Sequence, residues 1–172
     1  MATNFFQIQS QATFLYGVLG DYLSQEEVKL VKKAYKIADK AHSGQFRKSG
    51  EAYISHPLSV ALILADLKLD YLCIVAAILH DCIEDTSVTK DEVRNQFGDQ
   101  VAHIVEGVSK LTNLEFTSSS QKQAQNFQKL ILAMSKDMRV MIIKLADRLH
   151  NMRTIDSMTE EKKIIKVFCL RV

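Results

Sequence analysis

The chain has 172 residues, which fits about one domain, and 47% of them are hydrophobic, which excludes a disordered chain. The net charge of +2 excludes a general nucleic-acid or membrane-surface binder. With one proline and six glycines, the sequence favours long helices over a turn-rich β-sandwich.

The first predicted elements lie before and after a capping motif. Residues 1–23 are predicted to form an N-terminal helical extension. Ser24 with Glu27 forms a capping box, and apolar residues then recur at helical spacing until Gly44, a plausible stop. A turn-like stretch over 45–51 follows.

Two helices are predicted in the next part of the chain. Pro57 fits the first position of a helix over 58–69, because proline has the backbone angle of that position. Asp70 can cap the next helix, which spans about 71–83. This helix is apolar nearly all round, so we expect it to be buried.

The remaining elements are also predicted to be helical, which gives an all-α bundle. Thr89 with Glu92 is a second capping box, and its helix stops near Gly98. A polar loop is expected over 112–121. The further helical patterns cover 101–111, 122–134, 139–152 and the first part of 159–172.

The cysteines indicate a compartment rather than a site. Cys73, Cys82 and Cys169 are odd in number and form no CxxC pair, so we expect neither a disulfide framework nor a thiolate zinc site. Free thiols favour a reducing cytoplasm. No signal peptide is evident, and apolar runs such as 74–79 are too short to span a bilayer. A cytoplasmic protein without membrane or nucleic-acid partners is therefore expected.

Polar residues close the apolar run 74–79. His80 and Glu84 are four residues apart, as are Asp81 and Asp85, which would place the four groups on neighbouring faces of one helix. Carboxylates this close repel one another unless a cation is present. The pattern therefore indicates a divalent metal site, and the alternative is a helix end with solvated acids.

A second polar cluster follows the apolar residues 140–143. Asp147 is three and four residues from His150 and Asn151, so these share a helical face. An acid here can be a metal ligand or part of a salt-bridged surface helix. His56 is a third candidate, and a lone histidine at a helix start is otherwise a cap or a packed residue.

Four of these residues occur in the order H…HD…D: His56, His80, Asp81 and Asp147. Two imidazoles and two carboxylates can hold one divalent ion such as manganese, iron or zinc, and such an ion polarises water and phosphoryl oxygens. The pattern resembles the HD superfamily of metal-dependent phosphohydrolases.

A longer set of motifs appears in order as AHSGQFRKSGE (41–51), YISHP (53–57), LHDCIEDT (79–86), VEGVSKL (105–111) and IKLADRLHNMRT (143–154). This set resembles the N-terminal hydrolase domain of RelA/SpoT proteins, the bacterial enzymes of the guanosine alarmones ppGpp and pppGpp. The resemblance covers about 24–158 and looks closest to the SpoT branch.

The resemblance implies an HD-type helical bundle with a central metal site and a manganese-dependent hydrolysis of ppGpp or pppGpp to GDP or GTP plus pyrophosphate. The residues that match the manganese ligands are His56, His80, Asp81 and Asp147. Glu84 and Asp85 match the pair that activates the attacking water. The positions that match substrate contacts are Arg47, Lys48, Asn151 and Thr154.

Alternatives remain for these roles. Arg47 and Lys48 could be solvated loop charges, and Asn151 and Thr154 could be hydrogen-bonding residues of a helix end. Since Arg47 cannot coordinate a cation, its loss is expected to leave the metal content unchanged.

The function and the extent of the protein also have alternatives. The chain could act on another nucleotide, or bind alarmone without catalysis. Family enzymes usually continue into synthetase and regulatory domains, while residues 159–172 depart from the family pattern, so a fragment and a stand-alone hydrolase both fit.

Overall fold

The structure, a computed structural model, describes residues 2–112 and 137–155, with side chains over 6–111 and 137–155. Within this part the only extended pairing is an isolated bridge between Phe46 and Ala52. The prediction of an all-α fold is confirmed. The helices are α1 (Ala2–Gly20), α2 (Gln25–Ala41), α3 (Ser55–Asp66), α4 (Tyr71–Leu79), α5 (Cys82–Asp85), α6 (Lys90–Phe97), α7 (Asp99–Thr112) and α8 (Met138–Arg153).

Both predicted capping boxes are present. The Ser24 side chain accepts the backbone N–H of Glu27, and the Glu27 carboxylate accepts the N–H of Ser24 at 2.8 Å. Thr89 and Glu92 make the same pair of bonds at the start of α6. Gly98 follows α6 with a φ of +90°, a left-handed conformation that glycine adopts without strain.

Helix α4 is the central element of the bundle. Asp70 caps it by accepting the backbone N–H of Cys73 at 2.8 Å. Every residue from Cys73 to Leu79 is buried, and α4 packs against α2, α3, α7 and α8. The prediction that this helix is buried on all sides is therefore confirmed.

Helix α3 differs from its predicted bounds. It begins at Ser55, so Pro57 is its third residue and not its first. Proline is tolerated there because the first turn of a helix has no intrahelical acceptor for its N–H groups. The helix ends at Asp66, before the predicted 69, and Lys68 has a left-handed φ of 54°.

The predicted helix over 71–83 is interrupted at His80 and Asp81. Nδ1 of His80 lies 2.7 Å from the carbonyl oxygen of Ala77, which in a continuous helix would accept the N–H of Asp81. The side chain therefore takes an acceptor from the helix ladder. Helix α4 ends at Leu79, and the short α5 starts at Cys82.

Helices α7 and α8 approach closely at a glycine. A Cβ atom added at Gly107 would lie 2.8 Å from Cγ2 of Val140, which is buried on α8. Glycine in the VEGVSKL motif thus permits this contact. Helix α8 also packs against α3 and α4, which brings Asp147 near the histidines of those elements.

The N-terminal helix α1 packs against α3 and contributes Leu15 and Leu19 to the core. The division into 1–23, 24–158 and 159–172 stays a prediction. The expected helices over 122–134 and 159–172, and most of the loop over 112–121, lie outside the described residues. Of the helices described, none is both long and apolar enough to cross a membrane.

Candidate active site

Three buried side chains converge where α3, α4 and α8 meet. His56, His80 and Asp147 are 3%, 1% and 6% exposed, and each offers one ligand atom within 4.8 Å of the other two. His56 lies in the first turn of α3, His80 follows α4, and Asp147 is in α8. The contacts among these helices therefore bring together residues that are far apart in the sequence.

Asp81 lies next to the two histidines of this cluster. Its Oδ1 lies 3.0 Å from Nε2 of His80, and its Oδ2 lies 3.7 Å from Nε2 of His56. Nε2 of His56 is 3.2 Å from Oδ1 of Asp147. Of the four residues predicted as metal ligands, the structure thus groups three and places Asp81 beside two of them.

The orientation of His80 fits a metal ligand. Its Nδ1 faces the carbonyl of Ala77 at 2.7 Å, so this nitrogen donates and Nε2 is the nitrogen that could hold a metal ion. Nε2 is buried, and Asp81 Oδ1 lies 3.0 Å away. A buried nitrogen that faces a carboxylate is suited to a cation. The set of imidazole and carboxylate donors fits a divalent metal ion.

The charges in the cluster support the same conclusion. Burial opposes protonation of His80, but the neighbouring Asp81 carboxylate outweighs burial and raises the pKa of His80 to about 9. Burial alone would raise the pKa of Asp81, yet His80 holds it well below its usual range. Nε2 of His80 therefore attracts a cation, which is either a proton or a metal ion.

Asp147 is held by two further side chains of α8. Its Oδ2 accepts from Nζ of Lys144 at 2.8 Å, and its Oδ1 accepts from Nδ2 of Asn151 at 2.6 Å. Burial favours the neutral acid, but His56 and Lys144 outweigh burial, so the pKa of Asp147 lies well below its usual range. Asp147 is therefore a charged and oriented carboxylate.

Tyr53 is a site residue for which the sequence analysis proposed no role. Its hydroxyl donates to Oδ2 of Asp81 at 2.7 Å and lies 3.3 Å from Oδ2 of Asp85. Its ring stacks on His42 with a centroid distance of 4.7 Å. Burial, together with the Asp81 charge, raises the pKa of Tyr53, which keeps the hydroxyl a donor. Its position three residues before His56 was the available signal.

The two predicted catalytic acids lie on the short helix α5, at the edge of the cluster. Glu84 and Asp85 are both exposed, in contrast to the buried His80. Oγ of Ser109 lies 3.5 Å from Oε2 of Glu84. Partial burial raises the pKa of Glu84, and the charges of Asp85 and Asp81 add to this effect. A carboxylate with a raised pKa beside a metal site can exchange protons with water.

The predicted substrate residues lie near the buried donors His56 and Asp147. The 45–51 loop is closed by a hydrogen bond from the N–H of Arg47 to the carbonyl of Glu51 at 2.8 Å. The Arg47 guanidinium donates to Asn151 Oδ1 at 3.1 Å and lies 3.4 Å from Thr154 Oγ1. Lys48 is exposed on the same loop. The structure therefore joins Arg47, Asn151 and Thr154 in one cluster.

His150 connects this cluster to the metal donors. Its Nδ1 lies 3.1 Å from Nη1 of Arg47 and 2.8 Å from Nδ1 of His56. Burial, with the nearby His56 and Arg47, lowers the pKa of His150 to about 4. The sequence indicated that His150 shares a face with Asp147, but it did not identify these two partners.

A cleft of about 540 Å³ opens beside His150 and Thr154. Gln11 and Phe14 of α1 lie on its wall, together with Glu51 of the loop. This volume is in the range of small-molecule sites. The site therefore combines a metal-binding cluster, exposed acids and a cleft next to a cationic loop.

Comparisons with known proteins support this description. The chain is 52% identical over 142 residues to the bifunctional (p)ppGpp synthase/hydrolase SpoT of Escherichia coli (strain K12), a match that covers 83% of this chain and 20% of that protein. It is 51% identical over 148 residues to a GTP pyrophosphokinase of Myxococcus xanthus, covering 84% of this chain and 20% of that protein. The chain thus spans about a fifth of the length of these relatives.

A solved structure gives a match over a comparable length. It is a metazoan orthologue of SpoT, described as hydrolysing ppGpp and playing a role in starvation responses. The TM-score is 0.64 at 27% identity, and the match covers 86% of this chain and 83% of that one. The model of the HD domain family matches residues 34–170. The chain therefore belongs to the HD domain family, as its H…HD…D residues predicted.

Proposed function

We propose that this chain hydrolyses guanosine 3′,5′-bis(diphosphate), as ppGpp or pppGpp, to GDP or GTP plus pyrophosphate. SpoT of Escherichia coli is named for both synthesis and hydrolysis, and the chain spans only a fifth of it. The metazoan orthologue is described as hydrolysing ppGpp and is matched over 83% of its length. The second match favours hydrolysis as the activity of the region that this chain contains.

One observation carries the proposal. The buried donors His56, His80 and Asp147 are close to two groups of different chemistry. The Tyr53 hydroxyl donates to Asp81 and lies 3.3 Å from the exposed acid Asp85, and Arg47 is linked to His56 by contacts through His150. This arrangement suits a phosphate ester, because its reacting phosphorus must reach the metal and the acids while its base binds elsewhere.

The residues that would hold the metal ion are His56, His80, Asp81 and Asp147. We propose manganese on the strength of the family resemblance, and the mixed nitrogen and oxygen donors are compatible with it. When bound, such an ion lowers the pKa of water and stabilises negative charge on phosphoryl oxygens. Asp81 and Asp147 supply the negative charge that keeps the ion in a buried position.

Glu84 and Asp85 would handle the protons of the reaction. The oxygen of water forms a bond to the phosphorus attached to the ribose 3′ oxygen, and the bond between that phosphorus and the 3′ oxygen breaks. A carboxylate of this pair takes a proton from the water, and the leaving 3′ oxygen gains a proton. The raised pKa of Glu84 suits such a role, because it brings the group closer to neutral pH.

The loop cations would bind the nucleotide. Arg47 has a planar guanidinium that can stack on a guanine base, and Lys48 adds a second positive charge near the phosphates. Asn151 and Thr154 offer hydrogen-bonding groups next to Arg47. The adjoining cleft of about 540 Å³ provides the volume for part of the substrate.

The test is to incubate the purified chain with ppGpp and manganese and to measure pyrophosphate. We expect release with ppGpp and pppGpp, and none from GTP or cyclic nucleotides run alongside. The matched control is Glu84→Gln, which keeps the shape of the side chain but cannot take a proton. Release from the other nucleotides would favour a different HD phosphohydrolase, and binding without release would favour a non-catalytic module.

The setting of this activity is also a proposal. The longer relatives are compatible with a chain that is joined to synthetase and regulatory domains, as the resemblance predicts. A nucleotide substrate and the buried free thiols of Cys73 and Cys82 support a cytoplasmic location.

A further inference from the structure

The ring of His150 has two neighbours on a single nitrogen. Nη1 of Arg47 lies 3.1 Å from Nδ1 of His150, and Nδ1 of His56 lies 2.8 Å from the same atom. The rings of His56 and His150 have centroids 4.9 Å apart. This one atom therefore joins the loop that carries Arg47 to a residue of the metal cluster.

The protons on these nitrogens follow from Arg47. A guanidinium is always protonated and can only donate, so Nδ1 of His150 must present a lone pair. A second lone pair at 2.8 Å would be repelled, and Nδ1 of His56 must therefore carry a hydrogen that it donates to His150. Nδ1 of His56 is committed to this hydrogen bond, so Nε2 is the ring nitrogen that is left to bind a metal ion.

Nε2 is also the nitrogen of His56 that faces the carboxylates of the cluster. Nε2 of His56 is 3.2 Å from Oδ1 of Asp147 and 3.7 Å from Oδ2 of Asp81. Without the hydrogen bond to His150, His56 could carry its proton on Nε2 and donate it to Asp147. That alternative would block the nitrogen that faces the other ligands.

A parallel connection runs from Arg47 to the opposite ligand. The guanidinium donates to Oδ1 of Asn151 at 3.1 Å, which leaves the amide group of Asn151 to donate to Oδ1 of Asp147 at 2.6 Å. Arg47 thus fixes the orientation of two side chains, and each of these contacts a different member of the metal cluster. The first connection orients Nε2 of His56 toward the metal position, and the second orients the carboxylate of Asp147 toward it.

We propose that His150 and Arg47 are positioning residues of the metal site, which hold His56 in the tautomer that binds the metal through Nε2. The inference rests on the proposed function only for the choice of metal and nucleotide. Arg47 thereby has two roles, since the residue expected to contact the nucleotide also orients the metal ligands. Binding of nucleotide and metal is coupled, and the coupling is equal in both directions.

This proposal changes an expectation from the sequence. Because Arg47 cannot coordinate a cation, its loss was expected to leave the metal content unchanged. Simple electrostatics predicts tighter metal binding once a nearby positive charge is removed. The hydrogen bonds from Arg47 through His150 to His56, called the relay below, predict weaker metal binding when Arg47 is lost. The direction of the change in Mn²⁺ affinity therefore separates a positioning role from a general charge effect.

The tautomers can be measured directly on the metal-free protein. Long-range ¹H–¹⁵N correlation spectra of the histidine rings at neutral pH report which nitrogen carries the proton. We expect a hydrogen on Nδ1 of His56 and none on Nδ1 of His150. A hydrogen on Nδ1 of His150, or a bare Nδ1 of His56, would overturn the proposal without any measurement of activity.

Variants then test the consequence for metal binding by calorimetric titration of Mn²⁺ into metal-free protein. His150→Leu removes the acceptor and should weaken Mn²⁺ binding by about 10–100-fold, the usual cost of losing a residue that orients a metal ligand. His150→Asn places an amide oxygen near the position of Nδ1 and should retain binding within a few fold. If the His150→Leu variant bound Mn²⁺ with the same affinity as the unmodified protein, the relay would be refuted.

Two further comparisons complete the experiment. Arg47→Ala should weaken Mn²⁺ binding. Arg94→Ala removes a cation of α6 that pairs with Asp91 and Asp99, and it should leave Mn²⁺ binding unchanged. If His150→Leu does not fold, His150→Gln replaces it, because its polar group reaches the position of Nε2 and not of Nδ1. The His150→Gln variant should then bind Mn²⁺ more weakly than the His150→Asn variant, and equal affinities would refute the relay.

These outcomes are separable from a failure of the proposed function. The spectra and the titrations contain no nucleotide, so they can succeed even if ppGpp is not the substrate. Conversely, hydrolysis of ppGpp by a protein whose His150→Leu variant keeps full Mn²⁺ affinity would support the function and reject the relay.

Discussion

Replacing Tyr53 with phenylalanine is a sharp test of how the metal site is oriented. The change removes the hydroxyl that donates to Oδ2 of Asp81 at 2.7 Å and leaves the ring that stacks on His42. Asp81 then loses a fixed donor on one oxygen while its other oxygen still faces His80 at 3.0 Å. We expect Asp81 to remain charged but to be less well oriented toward the metal.

The magnitude follows from the hydrogen bond that is lost. A hydrogen bond to a charged group contributes about 1.5–3 kcal/mol, and about 1.4 kcal/mol corresponds to a factor of ten. The Tyr53 hydroxyl has one proton and donates it to Asp81, because Oδ2 of Asp85 lies farther from the hydroxyl, at 3.3 Å. Mn²⁺ affinity or kcat should therefore fall by about 10–100-fold, which agrees with the usual cost of losing a residue that orients a metal ligand.

The assay is calorimetric titration of Mn²⁺ together with the rate of pyrophosphate release from ppGpp. Tyr35→Phe is the matched control, because Tyr35 lies on α2, where its ring packs edge-on against Tyr16. It makes the same chemical change outside the cluster and should leave both quantities unaltered. Equal Mn²⁺ affinity and equal rates in Tyr53→Phe and Tyr35→Phe would show that the hydroxyl does not orient Asp81.

Three other substitutions have distinct expected outcomes. Asp81→Ala should abolish Mn²⁺ retention and hydrolysis, because it removes a carboxylate next to His80; normal metal content in the purified variant would reject Asp81 as a ligand. Glu84→Gln should bind Mn²⁺ and ppGpp normally but lose about 10²–10⁴-fold in kcat, and unchanged turnover would make Glu84 a structural acid. Gly107→Ala should lower the free energy of unfolding by about 1–2 kcal/mol, since overpacking against Val140 exceeds the gain in helix propensity. Thermal unfolding measures this loss of stability. In a protein that also carries Val140→Ala, Gly107→Ala should no longer be destabilising. Stabilisation by Gly107→Ala alone would contradict the overpacking argument.

The local elements of this fold could be predicted because their causes are local. The capping box at Ser24 and Glu27 needs only residues three apart, and both hydrogen bonds are formed. The burial of α4 follows from an apolar run without a polar face. Likewise, the order of histidines and aspartates predicted a metal cluster. The structure places His56 next to Asp147, although the two are 91 positions apart in the sequence.

The missed features depend on contacts between distant elements. The position of Tyr53 three residues before His56 does not by itself show that its hydroxyl meets Asp81, because that contact requires the chain before α3 to lie against the end of α4. The same holds for His150, whose two partners come from the 45–51 loop and from α3. The protonation of a histidine nitrogen is set by these partners, so helical spacing alone could not reveal it.

The most informative difference is the interruption of the predicted helix at His80. In a continuous helix, residues four apart lie on one face, so His80 and Glu84 would be buried together or exposed together. The proposed chemistry needs them apart, since a metal ligand belongs in a dry interior and a group that exchanges protons must reach water. His80 is 1% exposed and Glu84 is exposed. His80 Nδ1 bonds to the Ala77 carbonyl where α4 ends, which fixes the orientation of the buried imidazole, while Glu84 and Asp85 on α5 are exposed.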